Sequence, residues 1–381
     1  MEKRRKVMQL FNQKRRFAFG CMRLPMKDNE VDIEQFKQMV DAFIQAGFTY
    51  FDTAHGYIEG KSELAIKEAL SSRYPRDAYS LTNKLTEPYF SSEEDIEPFF
   101  MSQLKACGVE YFDYYLMHAQ NRKNVQHFDR CKAYEKAVEL KNRGLIKHIG
   151  ISFHDSADVL DDILTRHPMV EVVQIQFNYL DYNSASIQSK ACYDVCVKHN
   201  KPILVMEPVK GGSLVNLPEE ARAIFDKLGG GSYASYAIRF VLNHPQVAMV
   251  LSGMSDMQQM LDNISYTADF KPLTPAEEKA IDEVRAVFES TKAIGCTKCR
   301  YCVEQNQCPM NIRIPEAFAA YNARVSFKEW SAGRFYRDEV VKAGFGRPEE
   351  CIECGGCEAA CPQHLPIREL LKDVAKEFAD K

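Results

Sequence analysis

The sequence lacks the marks of a membrane protein or an exported protein. No apolar run approaches the roughly 18 residues that a membrane-spanning helix needs. The N-terminal stretch is basic at residues 3–6 and 14–16, without an apolar segment of signal-peptide length, and we expect it to be a solvated terminus. The net charge of −4 over 381 residues argues against a general nucleic-acid-binding protein. We therefore expect a cytoplasmic protein with neither a membrane nor a nucleic-acid partner.

A disulfide framework is also missing. The cysteines number thirteen, which is odd, and eight of them fall in two closely spaced runs of the kind that bind metal. This usage suits a reducing cytosol rather than an oxidising compartment. The other five are expected to be small core or helix-face residues: Cys21, Cys107, Cys131, Cys192 and Cys196.

A glycine fingerprint for dinucleotide binding is absent as well, since no Gly-x-Gly-x-x-Gly follows the first predicted strand. Eight short apolar segments alternate with amphipathic stretches up to Gly253. This α/β alternation over about 250 residues favours a (β/α)₈ TIM barrel, and the missing motif weakens the alternative of an open doubly wound sheet. The predicted strands are Phe17–Phe19, Thr49–Phe51, Ala78–Leu81, Phe112–Met117, Lys147–Ile151, Val172–Gln176, Ile203–Met206 and Ala248–Leu251.

Helical periodicity fills the intervals between these strands and continues beyond the last one. A helix over Pro275–Ser290 leads out of the barrel, so we place the domain boundary between residues 290 and 291. The expected domains are residues 1–290 for the barrel and residues 291–381 for a small α-helical, cysteine-rich domain. The other predicted helices are Asp32–Gln45, Ser91–Cys107, Phe128–Arg143, Ser156–Arg166, Ile187–His199, Tyr233–Asn243, Ala317–Ala323 and Arg334–Lys342.

The cysteine-rich tail contains a degenerate repeat. Each half has three cysteines two residues apart, then a Cys-Pro pair, then a second proline that opens a helix. This spacing is typical of iron–sulfur ligation, whereas structural zinc usually takes two separated Cys-x-x-Cys pairs and is the less favoured alternative. The candidate ligands are Cys296, Cys299, Cys302 and Cys308 in the first half and Cys351, Cys354, Cys357 and Cys361 in the second.

Four polar side chains follow three consecutive predicted strands. Asp52 and Tyr57 follow the second strand, Lys84 the third and His118 the fourth. The carboxyl ends of barrel strands form the catalytic face, so these groups should meet there. A lysine cation beside a phenol lowers the pKa of that phenol, and Asp52 could hold the lysine in place. With His118 orienting an oxygen, the set suits proton donation to a carbonyl that receives a hydride.

With these motifs the chain resembles the aldo-keto reductase family along nearly its whole length, in the branch with a C-terminal ferredoxin-like 4Fe–4S domain. The matching text includes Phe51-Asp52-Thr53-Ala54 with Tyr57, the Lys84 and His118 strand ends, Gly150-Ile151-Ser152 and Gln174-Ile175-Gln176. The resemblance implies an oxidoreductase that reduces a carbonyl or oxidises an alcohol with NAD(P)H. Its catalytic tetrad falls on Asp52, Tyr57, Lys84 and His118.

The resemblance also assigns the nicotinamide cofactor, with departures from the family pattern. Phe153 replaces an asparagine that contacts the nicotinamide carboxamide, and Met206 replaces a tyrosine that stacks on the ring. Residues 253–263 contain no basic residue, which makes a preference for NADP doubtful. The expected cofactor contacts are Gly20, Met22, Arg23, Ser152, Gln174, Met206, Ser255, Gln259 and Asn263.

For the tail, the resemblance implies a ferredoxin-like fold with two 4Fe–4S clusters, in which the fourth cysteine of each run binds the other cluster. The implied ligand sets are therefore Cys296, Cys299, Cys302 and Cys361 for one cluster and Cys351, Cys354, Cys357 and Cys308 for the other. Cys308 follows its run after five residues instead of three, which departs from the usual spacing.

Two functions remain open on the sequence. The first is a nicotinamide-dependent reductase of a small carbonyl or alcohol substrate, whose clusters relay electrons to a redox partner protein or support the structure. The second is an electron-transfer protein in which the barrel holds a flavin or docks a partner and the tetrad is not catalytic. The difficulty that separates them is that clusters pass single electrons while nicotinamide passes a hydride.

Overall fold

The computed structural model describes residue 11 and residues 15–291, 293–304, 306, 308–325, 332–341 and 343–379, apart from the side chain of residue 339. The basic residues 3–6 and 14, and the end of the predicted helix at Lys342, lie outside the described residues. Within that part, no helix is both long enough and apolar enough to cross a membrane.

Eight parallel strands close into a barrel, as the sequence predicted. Each strand pairs with the next along the chain, and β1 pairs with both β2 and β8. The strands are β1 (Phe17–Gly20), β2 (Tyr50–Asp52), β3 (Ser80–Leu85), β4 (Phe112–Gln120), β5 (Ile146–Phe153), β6 (Val172–Gln176), β7 (Ile203–Met206) and β8 (Val247–Gly253).

The strand register brings the carboxyl ends of the first strands to one edge. Gly20 is level with Asp52, and Asp52 is level with Thr82, two residues before Lys84. Every residue of β2 is buried, as expected for a parallel strand covered on both faces. The register therefore aligns the segments that carry the predicted catalytic residues.

Aromatic side chains fill both sides of the barrel wall near its first strands. Phe11 stacks on Tyr114 with ring centroids 4.9 Å apart, and both belong to a buried cluster with Tyr50 and residues of the later strands. Between sheet and helices, Phe43 stacks on Phe48 at 5.1 Å. Aromatic pairs of this kind add to the free energy gained by burying their surface.

The predicted helices are present, but one of them is divided and several short elements were missed. The predicted helix Phe128–Arg143 is two helices, because Lys132 takes a left-handed conformation (φ 51°) between them. The hairpin Met26–Lys27 with Glu30–Val31 was missed. Five helices were also missed, at Lys61–Ile66, Glu219–Asp226, Met257–Thr267, Tyr301–Glu304 and Gly356–Ala359.

In chain order, the helices up to the last barrel strand are α1 (Ile33–Gln45), α2 (Lys61–Ile66), α3 (Glu93–Cys107), α4 (Val125–Arg130), α5 (Ala133–Asn142), α6 (Ala157–Arg166), α7 (Ser189–Lys198), α8 (Glu219–Asp226) and α9 (Tyr233–Leu242). They are followed by α10 (Met257–Thr267), α11 (Pro275–Ser290), α12 (Tyr301–Glu304), α13 (Ile314–Val325), α14 (Ala332–Tyr336), α15 (Gly356–Ala359) and α16 (Ile367–Phe378).

The chain forms two compact units. One contains the eight barrel strands, and the other combines residues 185–187, 209–233 and 274–381. The second unit has its own apolar core, in which α13 and α16 pack together around buried residues such as Phe318, Leu371 and Val374. Cys302 and Cys357 belong to this core, so the cysteine runs are part of its packing.

Gly150 offers a test of the packing in the barrel wall. A methyl group at this position of β5 would lie 2.5 Å from Leu116 Cδ2 and 2.5 Å from Val172 Cγ2, both on neighbouring strands. Gly150→Ala should therefore lower the free energy of unfolding by about 1–3 kcal/mol, as overpacking does. Denaturant unfolding measures the change, with Gly230→Ala as the control because a methyl group there meets no atom within 4 Å. Equal stability of the two variants would contradict the packing.

Candidate active site and cysteine clusters

A buried ion pair lies at the carboxyl end of β2 and β3. Lys84 Nζ donates to Asp52 Oδ1 at 2.6 Å and to the Thr53 carbonyl oxygen at 2.8 Å. Gln174 Nε2 donates to the second oxygen of Asp52 at 3.2 Å. Burial raises the pKa of Asp52 and lowers the pKa of Lys84, while the attraction between the two charges opposes both shifts. The pair thus holds the ammonium group in a fixed position inside the barrel.

Tyr57 and His118 lie beside this ion pair. Lys84 Nζ is 4.8 Å from the centroid of the Tyr57 ring, and the rings of Tyr57 and His118 are 6.1 Å apart. His118 Nδ1 is hydrogen-bonded to Thr86 Oγ1 at 2.8 Å. The structure therefore brings together all four side chains that the sequence singled out, and it adds Thr86, which sequence reasoning missed although it follows Lys84 by two residues.

The protonation of the two rings differs in part from expectation. Burial, reinforced by the charge of Asp52, raises the pKa of Tyr57 well above its usual value, and Arg23 is the group that opposes this. The net lowering of the Tyr57 pKa that the sequence led us to expect is therefore not found, because burial outweighs the stabilisation of the phenolate by neighbouring cations. Burial and then the charge of Lys84 hold the pKa of His118 well below its usual value. At neutral pH the phenol keeps its proton and the imidazole is neutral.

The predicted cofactor residues of β5 and β6 are buried and have polar partners. Ser152 Oγ accepts a hydrogen bond from the Ala119 N–H at 2.7 Å, and the Gln174 amide donates one to Asp52. A hydroxyl and a primary amide suit a carboxamide ligand, since an amide both donates and accepts. Met206, at the end of β7, pairs with Gln176 in the sheet and is half-buried.

The remaining predicted cofactor residues surround the ends of β1 and β8. Gly20 is level with Gly253, and half-buried Met22 follows it by two residues. Arg23 lies over Gly253 and forms an ion pair with Glu207 at 3.7 Å, a contact that the sequence did not predict.

Three polar residues at or near α10 form hydrogen bonds with other groups of the protein. Ser255 Oγ donates to the Arg23 carbonyl oxygen at 3.1 Å, and Gln259 Nε2 donates to Asp256 at 2.8 Å. Asn263 Nδ2 donates to Ser252 Oγ at 3.4 Å. Gln259 therefore has an acidic neighbour instead of the basic one that a 2′-phosphate would need.

The cysteines of the second unit fall into two groups. Cys296, Cys299, Cys302 and Cys361 line one cavity, together with Phe318 and Leu365. Burial raises the pKa of Cys357 to about 11, and the thiols of Cys351 and Cys308 are among its neighbours. Exposed Cys354 lies in the same run. Each group thus combines cysteines from both halves of the repeat.

Asn306, two residues before Cys308, packs against the other run. A methyl group on Gly356 would lie 2.1 Å from Asn306 Oδ1, so the Asn306 side chain is packed directly against the Gly356 backbone. Past Cys308, Ile312 forms a bridge with Gly346, shortly before the second run begins. The two halves of the repeat are therefore interleaved.

Residues 209–212 belong to the same compact unit as the cysteines and contact the first run. A methyl group on Gly211 would lie 2.3 Å from the Thr297 carbonyl oxygen, directly after Cys296. Lys210 is buried, with Nζ 3.5 Å from Oε1 of Gln363, two residues after Cys361. The five cysteines outside the runs are buried, as predicted for core residues. In the described part of the chain, no three His, Cys, Asp or Glu side chains are grouped closely enough to hold a single metal ion.

The buried ion pair predicts a characteristic pattern of stability. Lys84→Met leaves the Asp52 carboxylate buried without its cation and should lower the free energy of unfolding by about 3–5 kcal/mol. Asp52→Asn should have a comparable effect, and the double variant should recover much of the loss because no charge is left uncompensated. Chemical unfolding of the four proteins measures the coupling, and strictly additive losses would contradict it.

Two family models match the chain. The Aldo/keto reductase family model matches residues 16–286, and the 4Fe-4S dicluster domain model matches residues 295–365. The uncharacterized oxidoreductase YqkF of Bacillus subtilis is 24% identical over 298 residues, which cover 69% of this chain and 90% of that protein. The NADH-specific methylglyoxal reductase of Escherichia coli is 24% identical over 271 residues, covering 59% of this chain and 81% of that protein.

Solved structures agree on the fold. The aldo-keto reductase AKR11C1 from Bacillus halodurans, in its holo form, matches with a TM-score of 0.57 and 24% identity over 71% of this chain and 91% of that one. A Klebsiella pneumoniae aldo-keto reductase in complex with NADPH matches with a TM-score of 0.57 and 20% identity, over 71% of this chain and 90% of that one. The eight strands form a closed parallel barrel, the four polar side chains lie together at its carboxyl end, and the family model matches residues 16–286. The chain is an oxidoreductase of the aldo/keto reductase family that carries a C-terminal 4Fe-4S dicluster domain.

Proposed function

We propose that the barrel reduces a small carbonyl compound, or oxidises the corresponding alcohol, with a nicotinamide cofactor. The observation that carries the proposal is the placement of Tyr57 beside the buried Lys84–Asp52 pair and His118. The bound cofactor supplies or accepts the hydride. Tyr57 donates its phenolic proton to the carbonyl oxygen, and Lys84 stabilises the phenolate that this leaves. Neutral His118 hydrogen-bonds the same oxygen and orients it.

The proposed cofactor contacts are Gly20, Met22, Arg23, Ser152, Gln174, Met206, Ser255, Gln259 and Asn263. Gln174 and Ser152 supply the amide and hydroxyl that a carboxamide can pair with, at the same barrel end as Asp52. With Asp256 bonded to Gln259, the surroundings disfavour a 2′-phosphate, so we propose a preference for NADH over NADPH.

We further propose two 4Fe–4S clusters. One is held by Cys296, Cys299, Cys302 and Cys361, and the other by Cys351, Cys354, Cys357 and Cys308. The support is that four thiols line one cavity and that Cys308 lies near Cys357 of the other run. Four thiolates around a cavity suit a cluster, which then passes single electrons to a redox partner protein. We propose the domain boundary near residue 290, between the two family matches, and a cytoplasmic location, since exposed thiolates need a reducing compartment.

The dicluster domain also favours a second candidate function. Clusters exchange single electrons, and a flavin in the barrel would connect them to two-electron chemistry. In this case the chain is an electron-transfer protein and the tetrad is not catalytic. Purification without oxygen, followed by flavin analysis, distinguishes the candidates, because about one flavin per chain favours the second.

Replacing the phenol tests the first function. Tyr57→Phe should reduce kcat for carbonyl reduction by at least about a hundredfold, because the proton donor is lost while the ring is kept. Steady-state kinetics with NADH and a panel of small aldehydes and ketones measures the change. Tyr74→Phe is the matched control, since that hydroxyl donates to Asp41 on the helical exterior. Full activity of Tyr57→Phe would contradict a catalytic tetrad.

Iron analysis tests the crossed ligand sets. The anaerobically purified protein should contain about eight irons, in two four-iron clusters. Cys299→Ala combined with Cys361→Ala removes two ligands of one cluster and should leave about four irons. Cys299→Ala combined with Cys308→Ala affects both clusters and should leave almost none. Cys131→Ser, outside both runs, is the control. Equal iron in the two double variants would contradict the crossing, and zinc without iron would contradict the clusters.

A further inference from the structure

A buried carboxylate lies close to the tetrad without belonging to it. Glu63, on α2, is 1% exposed, and its two oxygens contact three side chains from different elements. Oε2 is 2.7 Å from His55 Nδ1, and Oε1 accepts the Asn83 amide at 2.7 Å and the Gln103 amide at 3.3 Å. Burying a carboxylate costs free energy unless hydrogen bonds compensate the lost hydration, and the three partners of Glu63 provide these bonds.

Through two of these partners, Glu63 reaches the backbone of Lys84. The Lys84 N–H donates to Asn83 Oδ1 at 2.8 Å, and the Lys84 carbonyl oxygen accepts from Gln103 Nε2 at 3.0 Å. Tyr115 donates its hydroxyl to Gln103 Oε1 at 2.6 Å, which fixes the orientation of that amide. Because side chains alternate along a strand, Asn83 points to the opposite side of β3 from Lys84. Asn83 and Gln103, on the outer side of β3, thus bond the backbone N–H and the carbonyl oxygen of Lys84.

Through the third partner, Glu63 reaches the segment that carries Asp52 and Tyr57. His55 lies between those two residues in the chain, and its ring packs edge-on against Tyr89 and Phe99, with centroids 4.6 and 5.1 Å away. The neighbouring residue of α2 reinforces the contact, since Ser62 Oγ is 2.7 Å from Thr53 Oγ1. The start of α2 is therefore bonded to this segment at two points.

We infer that Glu63 is a positioning residue, which sets the separation between Tyr57 and Lys84 by joining the segments that carry them. The inference rests on the proposed carbonyl reduction. In catalysis, small displacements of a proton donor relative to its stabilising charge lower the rate strongly, while substrate affinity changes little. Charge-assisted hydrogen bonds in a buried site are stiff enough to hold such a separation.

The test compares Glu63→Leu with Glu63→Gln. The amide oxygen of a glutamine can accept from Asn83 and its nitrogen can donate to His55 Nδ1, so Glu63→Gln should stay within about threefold of the wild-type kcat. Glu63→Leu cannot make these bonds and should lower kcat by about tenfold or more, with KM for the carbonyl substrate within about twofold. The primary deuterium isotope effect with deuterated NADH should rise, because the chemical step becomes slower. Glu68→Leu, an exposed carboxylate further along the same helical segment, is the matched control.

A purely stabilising role predicts a different result. Glu63→Leu would then lower the free energy of unfolding while leaving kcat, KM and the isotope effect unchanged in the folded protein, and this would overturn the inference. If Glu63→Leu does not fold, Gln103→Leu removes the bond to the Lys84 carbonyl oxygen and should show the same loss of kcat at unchanged KM.

A structural measurement that needs no catalytic activity separates this inference from the proposed function. In crystal structures, the distance from Lys84 Nζ to the Tyr57 ring should increase from 4.8 Å in Glu63→Leu and stay the same in Glu68→Leu. An inactive wild type with this displacement would refute carbonyl reduction and support the positioning role. An unchanged distance would overturn the positioning role whatever the activity.

Discussion

The ion pair between Lys84 and Asp52 determines how the side chains pack at the barrel mouth, the end of the barrel where the carboxyl ends of the strands lie. Both side chains are almost fully buried, and their charged atoms are 2.6 Å apart. Taking two charges out of water costs several kcal/mol per ion, and this is offset only when geometry and further hydrogen bonds are good. The in-register pairing of β2 and β3 provides the geometry, and Gln174 and the Thr53 carbonyl oxygen provide the bonds. The ring of Tyr57 lies 4.8 Å from the ammonium group, and the ring of His118 lies next to that of Tyr57.

Much of this arrangement could be predicted from the sequence, because buried parallel strands have a plain apolar signature. All eight strands were recognised, but β3, β4 and β5 extend beyond their predicted ends into polar residues such as Lys84 and His118. The sequence placed Lys84 and His118 at the carboxyl ends of their strands, and the structure includes both within β3 and β4. Helix α2 was missed because its short sequence has no clear amphipathic period. Burial of individual polar groups cannot be predicted from a sequence, so the raised pKa of Tyr57 and the bonds of Glu63 emerged only from the structure.

The second unit shows a related dependence of fold on chemistry. Its core includes Cys302 and Cys357, and its two cysteine runs approach each other at Asn306 and Gly356. In domains that bind metal through cysteines, ligation adds to the stability that the apolar core provides. Cys361 of the second half lines the same cavity as three cysteines of the first, and Cys308 of the first half lies near Cys357, so under the proposed ligation neither half would hold a cluster alone. The spacing of the cysteines revealed the chemistry, while the packing of the two halves depends on contacts between residues distant in sequence.

The protonation states at the barrel mouth bear on the direction of the proposed reaction. Burial and the charge of Asp52 keep the proton on Tyr57 at neutral pH, and burial keeps His118 neutral. A protonated phenol is the form that donates to a carbonyl oxygen, whereas alcohol oxidation requires the phenolate as a base. Lys84 is the nearby cation that can stabilise the phenolate once the proton has left, and Asp52 keeps it in place. The resting site therefore holds the protonation state that carbonyl reduction needs, whereas oxidation would first require removing the proton from the buried phenol.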